Sequence, residues 1–208
     1  MLIHHVPSAV QLLFPQFVWH KSRLEKTIYL TFDDGPVPFV TDYVLDQLGE
    51  RQMKATFFMV GDNVMKYTDL ALKVKQQGHQ IGNHTHNHLN GYHCSTERYL
   101  QNFEKCQHTL QRSLGVDTEL FRAPYGRIRR QQQIVITKTH RLIMWDVMPG
   151  DFEPGITANK CLTKARKHTR NGSIVLFHDQ QKTEKILSEI LPDFLDYIQE
   201  QGYQTALL

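Results

Sequence analysis

The chain has 208 residues, a 40% apolar fraction and a formal net charge of +3. That is enough for one domain with a real core. It is too mildly basic to argue for nucleic acid, because no basic block carries interleaved aromatics; the single local cluster, Arg127, Arg129 and Arg130, reads as a solvated helix start.

Residues 1–25 are mildly apolar and interrupted by Pro7 and Pro15; they are expected to form an extension packed on the domain that follows. They lack a basic start and an A-x-A site, so the reading is no signal peptide and a cytoplasmic protein. No stretch approaches the ~18 apolar residues of a membrane span. Residues 27–32 read as a strand rich in β-formers. Residues 39–52 place Val40, Tyr43, Val44 and Leu48 at helical spacing. Residues 55–60, ATFFMV, have the length and apolarity of a buried strand. A helix is expected over 70–77, ending at Gly78, and a short strand over 80–82. Residues 95–114 open with Ser-Thr-Glu and stop before Gly115, which predicts a long helix. Then come a strand at 119–122, a helix at 129–139, a strand at 142–145, a helix at 159–169 and a strand at 173–177. A helix over 186–201 closed by Gly202 and a strand over 203–207 end the chain.

About seven β/α alternations with short connections predict one domain over 26–208, built on a parallel sheet, open or closed into a barrel. A complete eight-fold barrel typically takes about 250 residues, more than are present. The polar residues collect where strands end. Asp33 and Asp34 follow the first, His84, His86 and His88 the third, Arg122 ends the fourth, Asp151 lies past the fifth and His178 ends the sixth. In parallel α/β folds those ends build the site.

Five of the twelve histidines fall between His79 and His93. In NHTHNH, residues 83–88, a strand would turn His84, His86 and His88 to one side, whereas a helical turn would pair His84 with His88 at i and i+4. The glycines and asparagines on either side favour the helical pair. Asp-Asp-Gly-Pro at 33–36 reads alone as a turn. Together, Asp34 and two imidazoles make a three-ligand set for zinc or a similar divalent ion with one position open. Such an ion explains the paired carboxylates: one is a ligand, and the other is held ionised nearby and free to act as a base. Cys94, Cys106 and Cys161 are widely spaced without a CxxC, which argues against a disulfide framework or a cysteine zinc site.

TFDDGP, HTHNH, RAPYG at 122–126, GDF at 150–152 and LFH at 176–178 resemble, in order, five motifs of the polysaccharide deacetylases, the NodB-homology proteins of carbohydrate esterase family 4. The resemblance covers roughly residues 26–207 and implies a distorted (β/α) barrel of about seven strands. It also implies one divalent metal, usually Zn2+ with Co2+, Ni2+ or Mn2+ possible, and hydrolysis of N-acetyl or, in some members, O-acetyl groups of a glycan. By that resemblance Asp34, His84 and His88 are metal ligands, Asp33 the general base and His178 the general acid. Arg122 orients the base, Asp151 tethers Arg122, the Tyr125 backbone N–H holds the oxyanion and Leu176 walls the acetyl pocket. The fourth motif departs: Phe152 follows Asp151 where a Trp is usual, and Met148 stands where an upstream Asp might be. Trp145 and Asp146 are the candidates to compensate, with Trp145 and Phe152 placed at the substrate. Two other readings remain open at this point: hydrolysis of a small non-sugar amide on the same scaffold, and a metal-holding carbohydrate-binding protein without turnover.

Overall fold

The computed structural model describes residues 4–208. In chain order the elements are α1 (Ser8–Leu13), β1 (Thr27–Asp33), α2 (Val40–Glu50), β2 (Thr56–Met59), α3 (Gly61–Lys66), α4 (Thr68–Gln76) and β3 (Gln80–Asn83). They continue with α5 (Thr96–Leu114), β4 (Leu120–Phe121), α6 (Arg130–Ile136), β5 (Arg141–Leu142), α7 (Ala158–His168), β6 (Ile174–His178), α8 (Glu184–Glu200) and β7 (Gln204–Thr205). The strands form one parallel sheet in the order β5-β4-β3-β2-β1-β6, and β7 pairs with the start of β1. Among the described residues, no helix is long and apolar enough to cross a membrane.

The sheet curls into the expected distorted barrel. Residues 143–147 leave β5 and bring its two edges together: the Ile143 N–H donates to the Phe121 carbonyl, while the Leu176 N–H of β6 donates to the Val147 carbonyl. The predicted strand at 142–145 therefore coincides with regular strand only at Leu142, and the rest of it is an irregular seam. Its backbone bonds go partly to Val18 of the N-terminal segment, so a regular ladder does not form.

Strand pleating sorts the side chains. Ile28, Leu30 and Phe32 of β1 face outward into the core shared with α2, α7 and α8, together with Phe57 and Met59 of β2 and Val175 and Phe177 of β6. The alternate residues face the barrel interior, where Phe58, Ile143 and Ile174 pack with Tyr29 and Trp145. Helix α8 buries Leu187, Ile190, Leu191, Phe194, Leu195 and Ile198 on one face, at about 1.5–3 kcal/mol for each fully buried side chain. Helix α5 begins where Ser95 Oγ accepts the Arg98 N–H at 3.2 Å and ends at Gly115, in the left-handed region with φ 61°. Two short helices, α1 and α3, were not anticipated: six residues each give too little periodicity to separate them from loop. The N-terminal segment runs along the barrel, with the Val6 N–H donating to the Asp146 carbonyl and Trp19 buried against α6 and the seam.

Candidate active site

Asp33 is the last residue of β1 and sits in register with His178, the last of β6. Pleating turns both toward the barrel mouth. A following strand residue would point away, but Asp34 adopts φ 81°. That left-handed turn brings its carboxylate back beside Asp33. Close contact fixes the turn: Gly35 donates its N–H to Asp179 Oδ1 at 3.2 Å, and a Cβ on residue 35 would collide with the Asp179 carboxylate. Asp179 is fully buried and also accepts from Thr41 Oγ1 at 2.6 Å. Burial, with Asp34 nearby, pushes the Asp179 carboxyl up to about 8.

His84 and His88 converge on Asp34, but no helical turn brings them there. Residues 84–88 form a loop through left-handed Thr85 (φ 62°) and His88 (φ 52°). Side chains satisfy its backbone donors: Thr85 N–H donates to Asn83 Oδ1, and the N–H groups of His86 and Asn87 both donate to Asn102 Oδ1 on α5. These amide clamps do the work that helical carbonyls would otherwise do. His86 points the other way, against Gly61.

Asp34 Oδ1 lies 3.3 Å from His84 Nε2 and 2.9 Å from His88 Nε2, and the three donor atoms all fall within 4.8 Å of one another. A tetrahedral ion about 2.1 Å from each donor separates its ligands by about 3.4 Å, so the spacing suits one. His84 Nδ1 bonds the Arg122 carbonyl at 2.8 Å. A carbonyl only accepts, so that nitrogen carries a proton and Nε2 is the ring atom turned toward Asp34. Asp34 Oδ1 is buried and otherwise unsatisfied. A buried carboxylate oxygen facing two imidazole Nε2 atoms is the donor set that zinc or a similar divalent ion takes, and such an ion would replace these direct contacts. The other oxygen, Oδ2, accepts from Gln180 Nε2 at 2.6 Å. Burial alone would raise the Asp34 carboxyl, but His84, His88 and the charge of His178 outweigh it and hold it well below the usual carboxylate range.

Arg122 is completely buried at the barrel centre. It donates to Asp33 Oδ1 at 2.7 Å, Thr31 Oγ1 at 2.8 Å, the Ile143 carbonyl at 3.2 Å and the Met144 carbonyl at 2.8 Å, with its guanidinium 4.2 Å from the Phe58 ring centre. Burial lowers its pKa against the pull of Asp33; guanidinium remains charged in either case. Asp33 Oδ1 is thereby occupied, and Oδ2 faces the mouth, 3.7 Å from His84 Nε2.

One expected contact is absent. Asp151 does not tether Arg122. It takes the His178 N–H at 2.7 Å on Oδ2 and His178 Nδ1 at 3.0 Å on Oδ1. The main-chain carbonyls of the seam supply what an acidic tether was expected to give Arg122. Burial disfavours charge on His178, but Asp151, aided by Asp34 and Asp33, outweighs it and raises the imidazole to about 9. Phe152 packs edge-on against the His178 ring at 4.8 Å. Asp146 lies away from the cleft, fully buried and paired with Arg23 at 2.6 Å. Trp145 does reach the cleft.

Asp33, Asp34, His84, His88, His178 and Gln180 line a cavity of about 590 Å³ with Met148, Leu176, Phe152 and Trp145 on its apolar side. Tyr125 (φ 61°) stands over His88, 4.6 Å between ring centres, and its N–H donates to no acceptor among the described residues. Gln180 and Asp179 were missed, because neither belongs to a motif. Thr31 was readable in principle, two residues before Asp33 on the same strand face.

A family model described as polysaccharide deacetylase matches residues 20–141. A peptidoglycan-N-acetylglucosamine deacetylase of Bacillus cereus is 32% identical over 171 residues, 79% of this chain and 62% of that protein; the chain thus spans less than two thirds of that relative. A chitooligosaccharide deacetylase of Azorhizobium caulinodans is 36% identical over 157 residues, 74% of each chain. The crystal structure of a peptidoglycan N-acetylglucosamine deacetylase bound to a naphthyl N-hydroxybenzamide matches with a TM-score of 0.84 and 26% identity, over 98% of this chain and 95% of that one.

Proposed function

The chain belongs to the polysaccharide deacetylase family, and from that premise we propose that it hydrolyses N-acetyl groups of an amino-sugar glycan, such as a chitin oligomer or the glycan of peptidoglycan, with a divalent metal held by Asp34, His84 and His88. The observation that carries the reading is the flanking of one three-donor cluster by Asp33 and His178, neighbours in register on adjacent strands. When bound, such an ion polarises the acetyl carbonyl and makes water a better nucleophile near neutral pH.

The chain's own groups divide the remaining work. Arg122 occupies Asp33 Oδ1, so Oδ2 is the atom that receives the proton from the attacking water. The Tyr125 N–H holds the oxygen that gains charge. Asp151 occupies His178 Nδ1, which leaves Nε2 to give a proton to the departing nitrogen, and a pKa of about 9 keeps that proton available at neutral pH. Leu176, Met148, Phe152 and Trp145 offer the apolar surface that an acetyl methyl group needs. Hydrogen bonding of Asp34 Oδ2 by Gln180 leaves a single oxygen for the ion.

Acetate release from N-acetylglucosamine oligomers and from peptidoglycan fragments tests the reading, in chelator and after zinc or cobalt is returned. Release that disappears in chelator and recovers with metal is expected. No release from any acetylated glycan in the presence of metal would sink it.

A further inference from the structure

Residues 4–24 and 120–145 contain eight of the 24 basic residues and none of the 21 acidic ones; Arg122 is buried on Asp33 and Arg23 is paired with Asp146, whereas Arg127, Arg129, Arg130, Lys138 and Arg141 are exposed. The two stretches pack together through Val6, Trp19, Ile128, Ile136, Leu142 and Met144. Arg127, Arg129 and Arg130, at the start of α6, belong to this face.

The same face carries exposed apolar side chains. Leu12 and Leu13 at the end of α1 are 79% and 74% exposed, and Phe14, Ile134 and Val135 are also exposed. Leu13, Phe14, Ile134 and Arg130 line one groove of about 810 Å³ between α1 and α6. The protruding loop is braced from within. Gln11 Nε2 donates to the Val6 carbonyl and Trp19 Nε1 to the Phe14 carbonyl, both at 3.0 Å, and Phe14 stacks on Phe17. Its apolar tips are held outward although a core lies directly beneath them.

We infer that this face docks on an anionic lipid bilayer, with Leu12, Leu13 and Phe14 entering the boundary between headgroups and acyl chains and Arg130 and Lys138 meeting lipid phosphates. Apolar tips rimmed by basic side chains are the interfacial pattern. A hydrated polyanion would satisfy the arginines but leave the leucines in water, so the aliphatic tips favour the bilayer. Docking also bears on the catalytic cleft, because the same two loops wall both cavities. Tyr92 and Gly126 line the groove, whereas Asn90, His93, Tyr125 and Arg127 line the cleft.

Co-sedimentation of the whole chain with vesicles tests this: equal parts phosphatidylglycerol and phosphatidylcholine, against phosphatidylcholine alone, at low and raised salt. Binding to the anionic vesicles, weakened by salt, is expected. Leu12→Ser with Leu13→Ser and Phe14→Ser should weaken the partition about tenfold or more. Arg130→Glu and Lys138→Glu should each weaken it about fivefold or more. The two single charge variants are independent of the triple one, so a folding defect in the latter leaves the test intact. No binding to anionic vesicles at low salt overturns the inference. So does equal binding of the folded apolar variant, which would make the face a site for a soluble polyanion.

Discussion

The two flanks of the cleft are built by different means. On the ligand flank, backbone geometry does the placing: left-handed residues at Asp34, Thr85 and His88 aim three donors at one point, with side-chain amides clamping the loops. On the acid flank, one carboxylate and apolar packing do it. His178 sits on a regular strand, and Asp151 and Phe152 determine its charge and orientation. The ligand flank therefore tolerates little change in shape, whereas the acid flank tolerates little change in electrostatics. Arg122 joins them, tied to Asp33 on one side and to the seam carbonyls on the other.

The sharpest way to break this contrast is on the ligand flank. His84→Ala removes a proposed ligand and should abolish acetate release and weaken zinc binding by far more than the about 10–100-fold of an outer-sphere change; a chromophoric chelator in competition reads the affinity. Asp33→Asn should lower kcat by about 10²–10⁴-fold and leave zinc affinity unchanged. An unaltered rate would remove Asp33 from its proposed role. On the acid flank, the raised pKa of His178 means that the imidazolium persists above its ordinary 6.5, up to about 9, and is lost beyond it. Activity should hold into mildly alkaline pH and fall above about 9. Asp151→Asn removes the charge that offsets burial, so the alkaline limb should move to lower pH; a stationary limb would show that the acid flank does not run on this electrostatic pairing. Gln180→Leu sharpens the comparison from the ligand side, with an expected loss of about 10–100-fold in zinc affinity and no movement of the alkaline limb. The smallest effect is expected from Phe152→Ala, which removes an aromatic contact worth about 0.5–1.5 kcal/mol and should appear as a few-fold change in KM.

The same contrast governs what could be read in advance. Asp33, Asp34, His84, His88 and His178 were legible because strand ends gather chemistry at one rim, and strand runs such as ATFFMV are hard to mistake. The means of convergence was not legible. A helical turn and a left-handed loop can both bring two histidines four residues apart to one point, and only Asn83 and Asn102, the latter sixteen residues beyond His86, decide between them. Asp151 was legible as a participant but assigned to the wrong partner, because its position past a strand end does not say which of two nearby cations it meets. Gln180 and Asp179 carry no pattern at all. Their contacts to Asp34 and Gly35 span more than 140 residues of chain.

The irregular backbone at 143–147 has a consequence for how such a pocket can diversify. It carries Trp145, leads into Met148 and supplies two carbonyls to Arg122, yet it belongs to no continuous ladder. Side chains there can be exchanged while the backbone carbonyls that hold Arg122 and the bond from Val147 to β6 stay in place. A library confined to Trp145 and Met148, which line the cleft without touching His178, is thus the economical route to altered acyl-group preference on an unaltered hydrolytic framework.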